Sequence, residues 1–416
     1  MLNTKESSQN KHILILLFIT LLINMMGFSM IIPIKPQLIM EVIKGDLSIA
    51  VKWGGYLLFA YALGQFLMSP LIATLSSRYG RRPILIFSLI ASAIDFVVMA
   101  VAQHIELFLL ARFFLGVFSA TIATVNLCLI DISTPQKRAV NFSIISSALG
   151  LGLMVGPILG GTIGTLLGIR GPLFIGAILF LINLLLVYFL VPETVKELDK
   201  RKLNWRNLIP FGVFKQLKYS DLPLPFLLAS FLYQLSFHSF TSIWSFYMIA
   251  KFNWSFMEIG WSLLAVGLSN FLVQNFLARI LIPKLGEKKT FLLGVFFIIP
   301  VFYAYAVVDV GWFVYVIIIF GGVGSLMKPC LRSIMSSYLP YKKQGELMGA
   351  ITSINGLSLI IGPLIMTQTF SFFKTKHFNL DLIGAPFFLS MIFSIIASTL
   401  VISLFFQKKV TTQNVA

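Results

Sequence analysis

Long apolar runs constrain this chain more than any motif in it. A helix that crosses a bilayer needs about 20 mostly apolar residues. Runs of that kind lie near 12–34, 53–75, 84–102, 106–132, 140–166 and 172–191, and again near 223–250, 257–282, 290–308, 312–338, 346–370 and 384–406. Backbone inside hydrocarbon must satisfy its own hydrogen bonds, so such runs read as helices. The pattern predicts an all-α integral membrane protein with 12 transmembrane helices. Composition agrees: 58% of the 416 residues are hydrophobic and 11% are charged, against about 25% charged in a soluble domain. The first run is too long for the core of a cleavable signal peptide and lacks a small-residue cleavage pattern, so it reads as a retained helix.

The net charge of +17 does not point to nucleic acid. The basic residues are scattered over short loops, as orientation signals are. An even number of spans puts both termini on one side. Twenty-one Lys and Arg residues fall on that side and seven on the other, Lys35, Lys44 and Lys52 among the seven. Both termini are therefore expected in the cytoplasm, with the chain in the cell inner membrane. The expected organisation is a six-helix bundle over 1–191, a polar cytoplasmic linker over 192–222, and a second six-helix bundle over 223–416. Cys128 and Cys330 lie inside apolar runs, and no His/Cys cluster or HExxH pair is present. No metal, disulfide framework or enzyme activity is expected from them.

The halves read as copies. Gly80 and Gly286, Gly116 and Gly322, and Gly156-Pro157 and Gly362-Pro363 are each 206 residues apart. One constant offset at three landmarks implies two six-helix repeats.

Between the second and third runs lies ATLSSRYGRRPIL, Ala73 to Leu85. Arg78, Arg81 and Arg82 crowd beside Gly80 and Pro83, so this segment belongs in water or among headgroups as a tight hairpin. It resembles the loop signature of the major facilitator superfamily, with Ala73 in place of the usual glycine and Ser77 in place of the usual aspartate. LLARFFLG (109–116) is similar to the fourth-helix motif of that superfamily. GLGLMVGPILGG (150–161) and VPET (191–194) are similar to motifs of its drug:proton antiporter branch. ASAIDFVVMA, LIDIS, PKLGEKK and Gln344-Gly345 resemble tetracycline-type efflux proteins.

The resemblance implies the major facilitator fold, with two bundles related by an axis along the membrane normal. It implies secondary active transport: proton-coupled antiport (efflux) of a small organic molecule by alternating access. The proton gradient is then the energy source, no cofactor is needed, and the partners are a small-molecule substrate and the lipid bilayer, with the chain functional as a monomer. It also implies a gating role for Arg78, Gly80, Arg81, Arg82 and Asp131, with Arg81 paired to Asp131. Ser77 cannot supply the second carboxylate usual in that cluster.

Ionisable residues inside the membrane are functional candidates. Counted along their helices, Asp95 and Arg112 lie at similar depth near the midplane. Burial penalises a carboxylate and a nearby arginine favours it, so the pair suits proton uptake and release; a permanent structural bridge is the other reading. His238, mid-way along the seventh run, is either a proton relay or a packed, hydrogen-bonded side chain. Lys328 and Arg332 share a helix face and are expected in the inner third of the tenth helix, snorkelling or drawing in an anion. Tyr61 with Gln65, Asn270 with Gln274, and Asn24, Gln234 and Asn355 are expected to face a central cavity, as substrate contacts or interhelical glue. Gly150, Gly152, Gly156, Gly160 and Gly164, with Pro157, form a small-residue stripe for packing or sliding.

Asn24 stands where the similar exporters carry an aspartate. A cationic metal–tetracycline would lose a carboxylate there, which favours a neutral, zwitterionic or anionic substrate. The alternative reading is a transporter, exporting or importing, of an organic anion such as a polycarboxylate metabolite or siderophore. A non-transporting receptor on the same scaffold would call for an extra soluble domain.

Overall fold

The structure, a computed structural model, describes residues 2–134, 137–195, 223–339, 344–374 and 382–413. Most of the expected linker, 196–222, lies outside the described residues. Every regular element among those described is helical: α1 (Leu2–Ile43), α2 (Leu47–Tyr79), α3 (Arg81–Val101), α4 (Ile105–Phe118), α5 (Thr121–Ile132), α6 (Arg138–Leu167) and α7 (Gly171–Leu190). Then come α8 (Leu224–Phe252), α9 (Phe256–Leu272), a π turn (Val273–Leu277), α10 (Ala278–Val307), α11 (Phe313–Gly324), α12 (Met327–Ser337), α13 (Gln344–Lys374) and α14 (Ala385–Gln413).

Among the described residues, ten stretches are long and apolar enough to cross a membrane. One of them, Phe256–Val307, runs for 52 residues and is broken at Gly286, where the backbone turns to φ 77°. α8 is 29 residues long but carries a row of serines with Gln234 and His238. Helix ends differ from expectation at the first loop. α1 continues through Pro33 and Pro36 to Ile43, because neighbouring helices can compensate the hydrogen bonds a proline removes. Lys35 and Lys52, expected in loops, therefore lie inside helices.

The chain forms two compact units. The first holds the described residues of Met1–Gly45, Ala60–Pro210 and Trp254–Gly267; the second holds those of Asp46–Phe59, Phe211–Asn253 and Leu268–Ala416. In the first, the glycine stripe of α6 lets it press onto α1. A Cβ at Gly152, Gly156 or Gly160 would run into α1 backbone at Leu22, Met26 or Met30. Small residues serve this purpose in lipid, where close packing replaces the hydrophobic drive. Gly150 sits off the seam, with nothing within 4 Å of an added Cβ. Beside the seam, Phe28, Phe96 and Phe180 pack edge to face, with Phe96 and Phe180 centroids 5.0 Å apart. That trio clamps α3 against α7 at the residue following Asp95.

In the second unit α8 and α14 exchange serine hydrogen bonds. Ser236 Oγ donates to the Ser390 carbonyl and Ser390 Oγ to the Ser236 carbonyl, both at 3.0 Å. Tyr233 and Ser398 hydroxyls meet at 2.8 Å. These bonds explain why α8 tolerates so many hydroxyls in an apolar setting.

The repeat is visible in the backbone. Gly80 (φ 102°, ψ 161°) and Gly286 (φ 77°, ψ 162°) adopt the same left-sided conformation at matching helix junctions. The fourth span breaks at Ser119–Ala120 and the tenth at Ser325–Leu326, again 206 residues apart.

The seam makes a direct prediction. Gly160→Leu should destabilise the protein by about 1–3 kcal/mol, since the new side chain meets backbone that cannot yield. Gly150→Ala should leave stability unchanged or slightly raised. Thermal unfolding in detergent, read side by side, checks both.

Candidate functional site

Two clusters of polar side chains sit in the first unit. The deeper one is centred on Asp95 of α3, 1% exposed. Arg112 of α4 reaches it, Nη2 to Oδ2 at 3.5 Å. Arg112 is otherwise turned toward a sulfur: Nε and Nη2 lie 3.2 and 2.9 Å from Met99 Sδ. Neither oxygen of Asp95 accepts a hydrogen bond. The pair is thus held by charge rather than by a forked guanidinium–carboxylate contact, and Met99 is a weak acceptor for so strong a donor.

Around the pair, the Tyr61 hydroxyl meets Ser119 Oγ at 2.8 Å and receives a 3.4 Å contact from Gln65 Nε2. Tyr61 lies within electrostatic reach of both Arg112 and Asp95, and Lys35 within reach of Arg112. The break between α4 and α5 makes this possible. Ser88 of α3 accepts the Ala120 N–H at 3.1 Å and meets Thr121 Oγ1 at 2.7 Å, which frees Ser119 to turn toward Tyr61. Asn24 is buried in α1, and its amide nitrogen has no partner.

The second cluster lies where α2 turns into α3. Arg81 Nε is 3.2 Å from Asp131 Oδ2, and Nη1 reaches Ser76 and Ser77 hydroxyls at 3.2 and 3.1 Å. A second carboxylate reaches the cluster from the end of α7. Glu193, just past α7, accepts the backbone N–H groups of Arg81 at 2.8 Å and Arg82 at 3.1 Å. It caps the positive end of α3. Thr194 donates to Asp131 at 3.2 Å, and the Arg82 guanidinium donates to the Tyr188 carbonyl. Gly80 is required twice here: its φ is positive, and a Cβ would strike the Glu193 carboxylate. Arg78 lies over the Tyr79 ring, 5.7 Å from its centroid.

In the second unit His238 is buried, with Nδ1 3.3 Å from Thr241 Oγ1 and Nε2 without a partner. Its ring packs so closely on Gly362 that a Cβ there would overlap it. Lys328 Nζ stands 3.6 Å from the centroid of the Phe237 ring. Phe237 is next to the middle residue of α8. Arg332 follows Lys328 one turn on, and both keep open faces. Gln234 and Asn270 are half-buried, whereas Gln274 and Asn355 are exposed. Gln274 falls inside the π turn.

Sequence reasoning missed Lys35, Met99, Ser119, Glu193 and Thr194. Lys35 carried a signal, a base between two prolines in an apolar run. Glu193 carried none for this role, since it meets Arg81 across 112 residues.

Residues 17–363 match the profile of the Major Facilitator Superfamily. The chain belongs to that superfamily. It is similar to the class C tetracycline resistance protein of Escherichia coli, 30% identical over 363 residues, covering 87% of this chain and 91% of that one. The class B tetracycline resistance protein of Escherichia coli is 31% identical over 362 residues, covering 86% and 88%. Among solved structures, a bacterial homolog of the human lysosomal transporter Spinster, inward-facing and unoccupied, superposes with TM-score 0.72 at 16% identity, covering 94% and 96%. That likeness is one of fold. The chain is a multi-pass membrane transporter of this superfamily, not an enzyme.

The Glu193 cap yields a prediction. Glu193→Gln keeps the shape but gives up the charge at the end of α3, and should cost about 0.5–2 kcal/mol. Gly80→Ala should cost at least as much, because it strains the backbone and displaces the same carboxylate. Combined, the two should cost less than their sum, since they damage one contact. Thermal unfolding of the three variants checks this.

Proposed function

We propose that this superfamily member is a proton-coupled exporter of a small organic molecule. Two bundles, 1–191 and 223–416, alternate access to a site, and Asp95 takes up a proton as substrate leaves. The observation that carries this reading is the Asp95–Arg112 pair, a buried carboxylate 3.5 Å from a guanidinium with no hydrogen bond to hold its charge. A carboxylate so placed responds to any group that arrives beside it. Resistance, the property named in the relatives, is served by moving a compound out, which favours export over import. The buried amide of Asn24 and the charge of Lys35 near Arg112 disfavour a cationic chelate and favour a neutral or zwitterionic substrate.

The remaining parts follow the same reading. The chain sits in the inner membrane with both termini cytoplasmic, works as a monomer, and needs no cofactor beyond the proton gradient. The Arg81–Asp131–Glu193 cluster then lies on the cytoplasmic side and steadies the inward entrance. His238, Lys328 and Arg332 line the path in the second half.

Everted vesicles test the proposal. Vesicles containing the chain should accumulate labelled tetracycline or labelled chloramphenicol when a proton gradient is applied, and a protonophore should abolish the accumulation. Asp95→Asn should lower gradient-driven accumulation by about a hundredfold or more, within the range seen when a proton-transfer group is lost. Accumulation that survives the protonophore, no accumulation of either compound, or an unaffected Asp95→Asn variant contradicts the proposal.

A further inference from the structure

Asp95 also lines a cavity of about 440 Å³ between α3 and α4. Its walls are apolar, among them Phe87, Ile94, Leu110, Phe114 and Phe118. All five side chains are exposed on the outside of the protein, so in a membrane the cleft opens toward acyl chains. Grooves between lipid-facing helices are ordinary; a carboxylate at the bottom of one is not. Asp95 is 1% exposed and neither of its oxygens accepts a hydrogen bond. Buried polar atoms are almost always partnered, and leaving one bare is costly. Arg112 does not cure this: its nearest approach, Nη2 to Oδ2 at 3.5 Å, forms no hydrogen bond, and its shorter contacts are to Met99 Sδ.

The cleft therefore lacks a hydrogen-bond donor on an otherwise apolar body. Its volume lies in the range of small-molecule sites, roughly 300–1,000 Å³. The charge of Asp95 is already opposed by Arg112, with Lys35 adding to the positive side, so the missing donor need not be a cation. We propose that this cleft is a lateral binding site, entered from the bilayer, for an uncharged and largely apolar molecule whose single N–H or O–H donates to Asp95. The inference rests on the exporter reading and names its substrate class and its side of entry. Its sign suits exchange. A carboxylate accepts a hydrogen bond more strongly than a carboxylic acid does, so a proton on Asp95 loosens the ligand and the ligand disfavours the proton.

The test uses the full chain in nanodiscs of phosphatidylethanolamine and phosphatidylglycerol. The probes are N-phenyl-1-naphthylamine, which has one N–H, and its N-methyl analogue, which has none. Fluorescence above that of empty nanodiscs should saturate with the N–H probe, and the methylated analogue should bind about tenfold more weakly, the effect of losing one hydrogen bond of about 1.4 kcal/mol. Ala111→Trp and Ala91→Leu, which fill the cleft from its two walls, should each weaken the N–H probe at least as much. Equal binding of the two probes to the unaltered protein means that the cleft holds acyl chains only and overturns the proposal, whatever the variants do. Selective binding that both filled variants retain also overturns it, by placing the probe elsewhere. Gradient-driven export without probe selectivity removes this site and leaves the exporter reading intact. Selectivity without gradient-driven export does the reverse.

Discussion

Two opposite charges 3.5 Å apart in an apolar bundle set the terms for the first unit. An isolated aspartate in hydrocarbon is untenable as an ion, so Arg112 must stay within reach. An arginine at that depth must in turn be surrounded by groups that soften its isolation. Met99 contacts it, and Tyr61, bonded to Ser119 and Gln65, lies within its electrostatic reach. The aromatic trio at Phe96 fixes the helix on which the carboxylate sits, and the break after Phe118 brings Ser119 round to Tyr61. The pair is close enough to attract and is held without a hydrogen bond.

The same economy of small residues appears twice along the chain. Glycines at fixed spacing let α6 lie against α1, and serines at matching depth tie α8 to α14. One pairing works by removing side chains, the other by letting short hydroxyls bond to backbone. Neither needs apolar burial, which has little force between helices already in lipid. The positive-φ glycines at 80 and 286 turn the chain sharply between helices in both halves, a conformation that other residues reach only with strain.

Much of this was legible in the residues. Apolar runs declare spans because lipid allows the backbone few alternatives. Asp95 and Arg112 declare each other because a charge in such a run demands a partner. Gly80 announces its turn because it sits beside three arginines and a proline. What was not legible depends on distance or on a local departure from regular geometry. Glu193 reaches the start of α3 by folding back from the end of α7. The π turn at Val273–Leu277 interrupts a run that reads as one regular helix. Lys35 lies past the first apolar run, near 12–34, yet inside α1, which continues through Pro33 and Pro36 to Ile43. The contact of Lys328 with the Phe237 ring follows from the tenth span restarting at Met327.

The central claim is that ligand and proton exclude each other at Asp95. Proton release on binding tests it most directly. Purified protein in unbuffered detergent at low pH, with a pH-sensitive dye present, is given saturating N-phenyl-1-naphthylamine. The account predicts release of about one proton per bound molecule, since linkage makes binding and deprotonation one equilibrium, and no release from Asp95→Asn. Binding without proton release, or release that persists in Asp95→Asn, contradicts it.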